Sequence, residues 1–365
     1  MEVIGIIAEY NPFHNGHIHH IKKIKDMYKD SIIILILNGY FLQRGDLSIL
    51  TKEDKTKIAL LNKVNLVIEL PTIYGVQSAD IFANESIKIL NKLNVKKIVF
   101  GSECNDVNML KKLAYKQLMP EFNELVKMHL DKGLNYPTAL AKATDMNFDY
   151  KPNDLLGISY IKAILKNNFD IEPVTIKRTS DYHDKLSTKT IISATNIRNK
   201  ISLNENISTY LPDDVISKII KIDKEMYFKL LKAKIITLDN LNTYLDVDEG
   251  IEYRLKKYII DSKNIDEYLN KIKTKRYTYN RLNRMFIHIL LEIKKENNLI
   301  NESNYLKVLG FDKLGKTYLK RIKIKEYYKN TLIYNYELKA SLIYDLINNT
   351  NTYNFEIKNK PVYKD

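Results

Sequence analysis

The chain has 365 residues with a formal net charge of +14, and 45% of its residues are hydrophobic. That length gives two or three domains of ordinary size, and that hydrophobic content excludes wholesale disorder. A single cysteine, Cys104, excludes an intramolecular disulfide framework and any cysteine-based zinc cluster, and it fits a reducing cytosol. No apolar run approaches the ~20 residues of a membrane span, and the start lacks the basic flank and long apolar stretch of a signal peptide. The expectation is a soluble cytoplasmic protein with no membrane association.

In chain order, Val3–Ile7, Ser31–Leu37, Leu66–Leu70, Lys97–Phe100 and Glu172–Lys177 are short apolar or β-branched runs bounded by turn formers, and each reads as a buried strand. Amphipathic stretches separate them: Gly16–Tyr28, Lys52–Asn62, Ala79–Leu93 and a longer helical region from Val107 to Leu165. Strands alternating with helices of this length imply βαβ units and a doubly wound parallel sheet of Rossmann-like type. Ligands of such sheets sit beyond the carboxyl ends of the strands, where strand order reverses.

Past Leu203 the strand signals fade. Asn240–Tyr268, Arg281–Asn297, Leu314–Tyr328 and Glu337–Asn348 read as helices rich in Lys and Tyr, and the last dozen residues read as a loose tail. Turn formers cluster between Ser202 and Pro212, which divides the chain into a catalytic unit (1–202) and a mainly helical basic unit (203–365). Charge follows the same division. Residues 251–365 hold 24 Lys and Arg against 13 Asp and Glu, so most of the +14 lies in the last third. A localised basic unit points to a polyanion, with lysine enrichment from genome composition as the plain alternative.

The loop after the first strand, Asn11-Pro12-Phe13-His14-Asn15-Gly16-His17, runs straight into a helix. A phosphate there meets free backbone N–H groups and the positive end of the helix dipole. His14 and His17 are three apart and can converge on the same oxygens, while Gly16 allows close backbone approach and Pro12 fixes the turn. A helix cap plus a surface histidine is the plainer alternative. A metal site lacks a third ligand at a suitable spacing. Near the end of the sheet, Ile192-Ser193-Ala194-Thr195-Asn196-Ile197-Arg198 offers hydroxyls and amides at a helix start, with a planar, permanent charge at Arg198.

The first segment resembles the HxGH signature of the nucleotidyltransferase superfamily, which includes cofactor adenylyltransferases and class I aminoacyl-tRNA synthetases. The second resembles that superfamily's ISSTxIR motif, departing at Ala194, where a hydroxyl is usual. Further segments are similar to one family, the bacterial tRNA(Met) cytidine acetate ligases: Phe41-Leu42-Gln43-Arg44-Gly45-Asp46, Leu66-Val67-Ile68-Glu69-Leu70-Pro71, Gly101-Ser102-Glu103, Pro152-Asn153-Asp154-Leu155-Leu156-Gly157, Lys273-Thr274-Lys275-Arg276-Tyr277-Thr278-Tyr279 and Val308-Leu309-Gly310-Phe311. Asn65 departs from the Asp usual before the Leu-Val-Ile-Glu-Leu-Pro run.

The resemblance implies an enzyme that makes acetyl-adenylate from ATP and acetate and passes the acetyl group to the wobble cytidine of elongator tRNA(Met). It implies an ATP loop of Ile7, Ala8, Glu9, Tyr10, Asn11, Pro12, Phe13, His14, Asn15, Gly16, His17, Ile18, His19 and His20. Gly101, Asn153, Arg178, Ser193 and Thr195 complete that pocket, with His14, His17 and Arg198 as the catalytic groups and Mg²⁺ accompanying ATP. Lys271, Lys273, Lys275, Arg276, Arg281 and Arg284, interleaved with Tyr277 and Tyr279, are the expected tRNA contacts: cations for phosphates, tyrosines for unpaired bases. A solvated lysine-rich face is the bland alternative for that stretch. No stable protein partner is expected. The competing functions are a cofactor adenylyltransferase acting on a small phosphorylated substrate and a catalytically dead nucleotide- or RNA-binding protein.

Overall fold

The computed structural model describes residues 1–134, 136–146, 148–178, 190–299, 304–358 and 360–365. Five strands run parallel: β1 (Glu2–Ala8), β2 (Ser31–Asn38), β3 (Leu66–Leu70), β4 (Lys97–Ser102) and β5 (Glu172–Lys177). Their sequences are nearly unbroken apolar runs because helices cover both faces of the sheet. Every residue of β2 and of β3 is buried. One face packs against the helices Ala79–Lys92 and Pro152–Lys166, and the other buries Ile4, Ile6, Ile33 and Leu35 against Ile21, Ile24, Ile58 and Ile197.

The sheet has seven strands in the order β5-β4-β1-β2-β3-β6-β7. The last two, β6 (Val308–Asp312) and β7 (Val362–Lys364), come from the part of the chain that reads as helical. β6 lies antiparallel to β3, with Leu66 opposite Phe311 and Val67 opposite Gly310, and β7 lies parallel to β6. β6 is only five residues and β7 three, too short for an alternation signal, and pairing with an existing edge supplies what the local sequence does not. The final residues are therefore not a tail: the helix Tyr353–Lys358 and β7 tie them to the sheet, and Lys364 Nζ donates to the Leu60 carbonyl at 3.1 Å.

Between Asn240 and Tyr268 the chain does not form one helix. It makes a short turn at Leu241–Thr243 and then the helices Ile251–Ile259 and Ile265–Ile272, interrupted where Asp246, Glu249 and Gly250 take positive φ. With Lys224–Thr237, Tyr279–Leu291 and Leu332–Asn348 these helices enclose a second core around Leu231, Leu255, Tyr268, Phe286 and Tyr344. That core runs without a break into Tyr40, Phe41, Ile73 and Val76 of the sheet unit.

Charge reinforces the junction. Lys52, at 0% exposure, is held by three equally buried carboxylates: Glu69 of β3, Glu337 at 2.8 Å and Glu356 at 2.7 Å. Lys307 joins through Glu356 and Glu69, while the hydroxyls of Tyr40 and Tyr305 donate to Glu356 and Glu69. Burial opposes the charge on Lys52, but the three carboxylates hold it firmly protonated. Burial would also raise Glu356, yet Lys52 and Lys307 bring it down to about 2. Burial does raise Glu337, partly offset by Lys52.

Candidate nucleotide site

Strand order reverses between β1 and β4, and a cavity of about 310 Å³ opens beyond their carboxyl ends. β1 supplies Ile7 and Ala8, the following loop Glu9, Tyr10, Asn11 and His14, and the first turns of the helix Asn15–Met27 supply Gly16, His17, His19 and His20. Gly101 ends β4, Asn153 opens the helix Pro152–Lys166, and Arg178 follows β5. Ser193, Ala194, Thr195 and Arg198 arrive with the helix Ala194–Ser202. Two helix N-termini therefore face one cavity, a site suited to an extended anion.

The histidines organise each other. His14 is the cap of the first helix: its Nδ1 accepts from the Gly16 amide at 3.0 Å, and its own amide donates to His17 Nδ1 at 3.1 Å. Both Nδ1 lone pairs are thus in use, which leaves each neutral ring with its proton on Nε2. Burial, followed by the charges of Arg178 and Arg198, lowers the His14 pKa to about 3. His17 is lowered by burial and then by His14, His20 and Arg178. The pair is a set of neutral N–H donors. Gly16 has a reason beyond ligand approach: a Cβ there would stand 2.6 Å from His14 Cε1 and break the cap.

Arg198 donates from Nη1 to the Asn11 carbonyl at 2.8 Å and from Nη2 to Thr195 Oγ1 at 3.4 Å, with Asp46 at 3.8 Å. Ser193 Oγ caps its own helix by accepting from the Asn196 amide at 3.2 Å. Asn153 donates to Glu103 and receives Arg178 Nη1 at 3.5 Å, so the loop after β4 and the start of that helix lock together. Asp154 completes the lock by accepting from Ser102 Oγ and from the amides of Glu103 and Cys104.

Four residues of the expected ATP loop do not line the cavity. Phe13 is wholly buried in the core, Asn15 Nδ2 ties the helix to the Thr190 and Thr209 carbonyls, and Pro12 and Ile18 support the turn from behind. The cavity also has walls that motif reading does not supply. Phe82, Phe100, Leu156, Tyr160 and Ile176 make an apolar slot fit for a planar base, and Leu42, Gln43, Arg44 and Asp46 form the opposite lip. Lys55 ties the end of β2 to the residue after β1: buried, it donates to the carbonyls of Asn38, Gly39 and Glu9 at 2.7, 2.6 and 3.2 Å. Burial lowers its pKa to about 7. Three acceptors around one nitrogen nevertheless match the three hydrogens of an ammonium.

The basic stretch leads into the helix Tyr279–Leu291, whose Asn283 lies against Gly45, beside the lining residues Arg44 and Asp46. Lys273 is exposed above the Tyr279 ring at 4.8 Å, and Lys275 and Arg276 are exposed, with Arg276 3.0 Å from Glu249. Lys271 pairs with Glu267 at 2.6 Å, Arg281 with Asp248 at 3.5 Å and Arg284 with Asp246 at 3.8 Å. Tyr279 is 42% exposed and offers a stacking face; Tyr277 is 4% exposed, with Arg281 over its ring and its hydroxyl donating to the Asp248 carbonyl. Tyr277 is in position to orient Arg281, not to stack on a base.

A parallel sheet with a switch-point cavity, a histidine-capped helix and a second helix carrying Ser, Thr and Arg define a nucleotidyltransferase of the HIGH class. The family model described as HIGH Nucleotidyl Transferase matches residues 1–364. Within that class the chain belongs to the tRNA(Met) cytidine acetate ligase family. It is 39% identical to the tRNA(Met) cytidine acetate ligase of Caldicellulosiruptor saccharolyticus, over 90% of this chain and 86% of that one. It is likewise 39% identical to the protein of that name from Mycoplasma mobile, over 80% of this chain and 99% of the other. The crystal structure of Thermotoga maritima TmcAL bound with alpha-thio ATP superposes with a TM-score of 0.87 at 25% identity, covering 100% of this chain and 99% of that one.

Proposed function

We propose that the chain joins acetate to ATP, giving acetyl-adenylate and pyrophosphate, and transfers the acetyl group to the N4 amine of the wobble cytidine in elongator tRNA(Met). The observation that carries this reading is the convergence of two helix N-termini, two neutral imidazole donors and Arg198 on one switch-point cavity. The first step is in-line attack of a carboxylate oxygen on the α-phosphorus, with pyrophosphate leaving. It asks for positioning and stabilisation of charge on phosphate oxygens. The Nε2–H groups of His14 and His17 and the amides at the helix starts provide donors. Arg198 adds a fixed bidentate fork.

Mg²⁺ would enter with ATP and neutralise phosphate charge. Among the described residues no group of three His, Cys, Asp or Glu could cage a metal ion, so the donor set fits an ion carried by the triphosphate and water. We assign Lys273, Lys275, Arg276 and Tyr279 to tRNA. No helix among the described residues is long and apolar enough to cross a membrane, and we place the enzyme, with its tRNA substrate, in the cytoplasm. The test is ATP–pyrophosphate exchange driven by acetate, followed by transfer of labelled acetyl to elongator tRNA(Met). Exchange that ignores acetate but follows a small phosphorylated substrate would instead identify a cofactor adenylyltransferase.

A further inference from the structure

The segment Phe41–Asp46 has no part in the adenylation chemistry above, yet it forms a wall of the same cavity. It is a tight turn: the Gly45 amide donates to the Leu42 carbonyl at 2.8 Å, the Leu42 amide donates to the Asp46 carbonyl at 2.9 Å, and Phe41 bridges to Leu47. Gly45 has φ +82°, and a Cβ on it would stand 2.3 Å from the backbone carbon of Asn283. The turn is therefore pressed against the helix Tyr279–Leu291, the element that continues the basic stretch. The turn thus places a wall of the nucleotide cavity beside the helix that follows the proposed tRNA face.

The transfer step needs something that His14 and His17, the pair assigned to adenylation, cannot give. The lone pair of the cytosine N4 amine is delocalised into the ring, so the amine becomes nucleophilic only as its proton leaves. Both imidazole Nδ1 atoms are occupied, and each Nε2 carries a proton. Among the described residues, the cavity lining contains two carboxylates, Glu9 and Asp46. Glu9 Oε1 accepts from Asn38 Nδ2 at 2.9 Å and from the Gln43 amide at 2.6 Å, which fixes it as part of the loop scaffold. Asp46 is 43% exposed on the cavity lip, with Arg198 at 3.8 Å. Among the described residues, Arg44 lines the cavity on the same turn, and Tyr227 is near enough to feel the charge: its hydroxyl is kept protonated by burial and, secondarily, by Asp46.

We infer that Asp46 is the general base of acetyl transfer: its carboxylate removes the N4 proton as that nitrogen attacks the acyl carbon of the adenylate. The N–C bond forms, the bond from acyl carbon to phosphate oxygen breaks with its electron pair going to AMP, and the proton passes from N4 to Asp46 and then to water. The assignment rests on the acetate ligase reading. It divides the cavity by half-reaction: imidazole donors and Arg198 for adenylation, the Gln43–Asp46 turn for transfer.

Asp46→Asn keeps shape and an acceptor oxygen for Arg198 while removing the base. Enzyme loaded with ATP and labelled acetate is mixed with elongator tRNA(Met), and transfer is followed in a single turnover beside acetate-dependent pyrophosphate exchange. The expected result is transfer slower by ~10²–10⁴-fold, with exchange changed by less than about tenfold. Transfer at the wild-type rate from loaded Asp46→Asn enzyme overturns the assignment. So does an equal loss in both half-reactions, which would make Asp46 a support for Arg198 or a magnesium contact. A wild-type enzyme that loads acetyl-adenylate but never acetylates tRNA overturns the acetate ligase reading and this assignment together.

Discussion

At the scale of single residues, His14 has two jobs that a mutation can separate. It caps a helix and it presents an Nε2–H to the cavity. His14→Ala is expected to lower adenylation by ~10²–10³-fold, the usual loss for one preorganised donor, and to cost about 1 kcal/mol of stability for the missing cap. His17→Ala should show a comparable kinetic loss, read by pyrophosphate exchange. Arg198→Lys keeps the charge but loses the fork between the Asn11 carbonyl and Thr195, so exchange should fall well below wild type. The buried histidines also set an acid limit. His14 near 3 and His20 near 4 bind protons less readily in the folded state than in the unfolded chain, whose histidines titrate near ~6.5. Their neutral burial leaves stability intact above that value and erodes it as pH falls from about 6.5 toward 4. Urea midpoints measured across that window should decline with pH, and less steeply in a His14→Ala protein.

At the scale of elements, the buried cluster around Lys52 and the turn at Gly45 hold the two cores in one arrangement. Lys52→Met would strand three buried carboxylates around an apolar tip, with Lys307 as the remaining cation. Breaking a buried ion set by removing one partner costs ~3–5 kcal/mol, so the variant should unfold at a distinctly lower urea concentration. Gly45→Ala forces a side chain against the Asn283 backbone in a left-handed conformation. A loss of ~1–3 kcal/mol is expected, and calorimetry against wild type measures it. Because the turn carries Asp46, the same variant should lose more in acetyl transfer than in pyrophosphate exchange.

For the molecule as a whole, the nucleotide cavity and the proposed tRNA face are separate sets of residues, with Gly45 of the cavity turn packed against Asn283 in the helix that follows the basic stretch. Changing Lys273, Lys275 and Arg276 together to Ala leaves the cavity untouched, and all three side chains are exposed. Acetate-dependent exchange should persist while tRNA binding weakens and its salt dependence becomes shallower. The slope is expected to change by ~0.9 for each phosphate contact removed, taking duplex DNA as the guide. Equal affinity of both proteins for tRNA at several salt concentrations would return this stretch to an ordinary solvated face.

The sequence by itself determined the five parallel strands and the strand–loop–helix junction that lines the cavity. Buried strands such as Ser31-Ile32-Ile33-Ile34-Leu35-Ile36-Leu37 declare themselves by composition, and a His-x-Gly-His turn between strand and helix marks a helix start at the carboxyl end of β1, because local chain geometry suffices for both. Tertiary structure decided what depends on distant partners. Val308–Asp312 became a strand because β3 presented an unpaired edge, and the tail became β7 for the same reason. Lys52 and Lys55 belong to an amphipathic stretch whose sequence does not say what they meet, and both are buried, one by carboxylates from residues 69, 337 and 356 and the other by backbone carbonyls. Tyr277 and Tyr279 are alike in sequence, and only packing made one a buried support and the other an exposed platform. Asp46 met Arg198, 152 positions further along the chain, because the fold brings both to one cavity, a relation that no spacing rule along the chain contains.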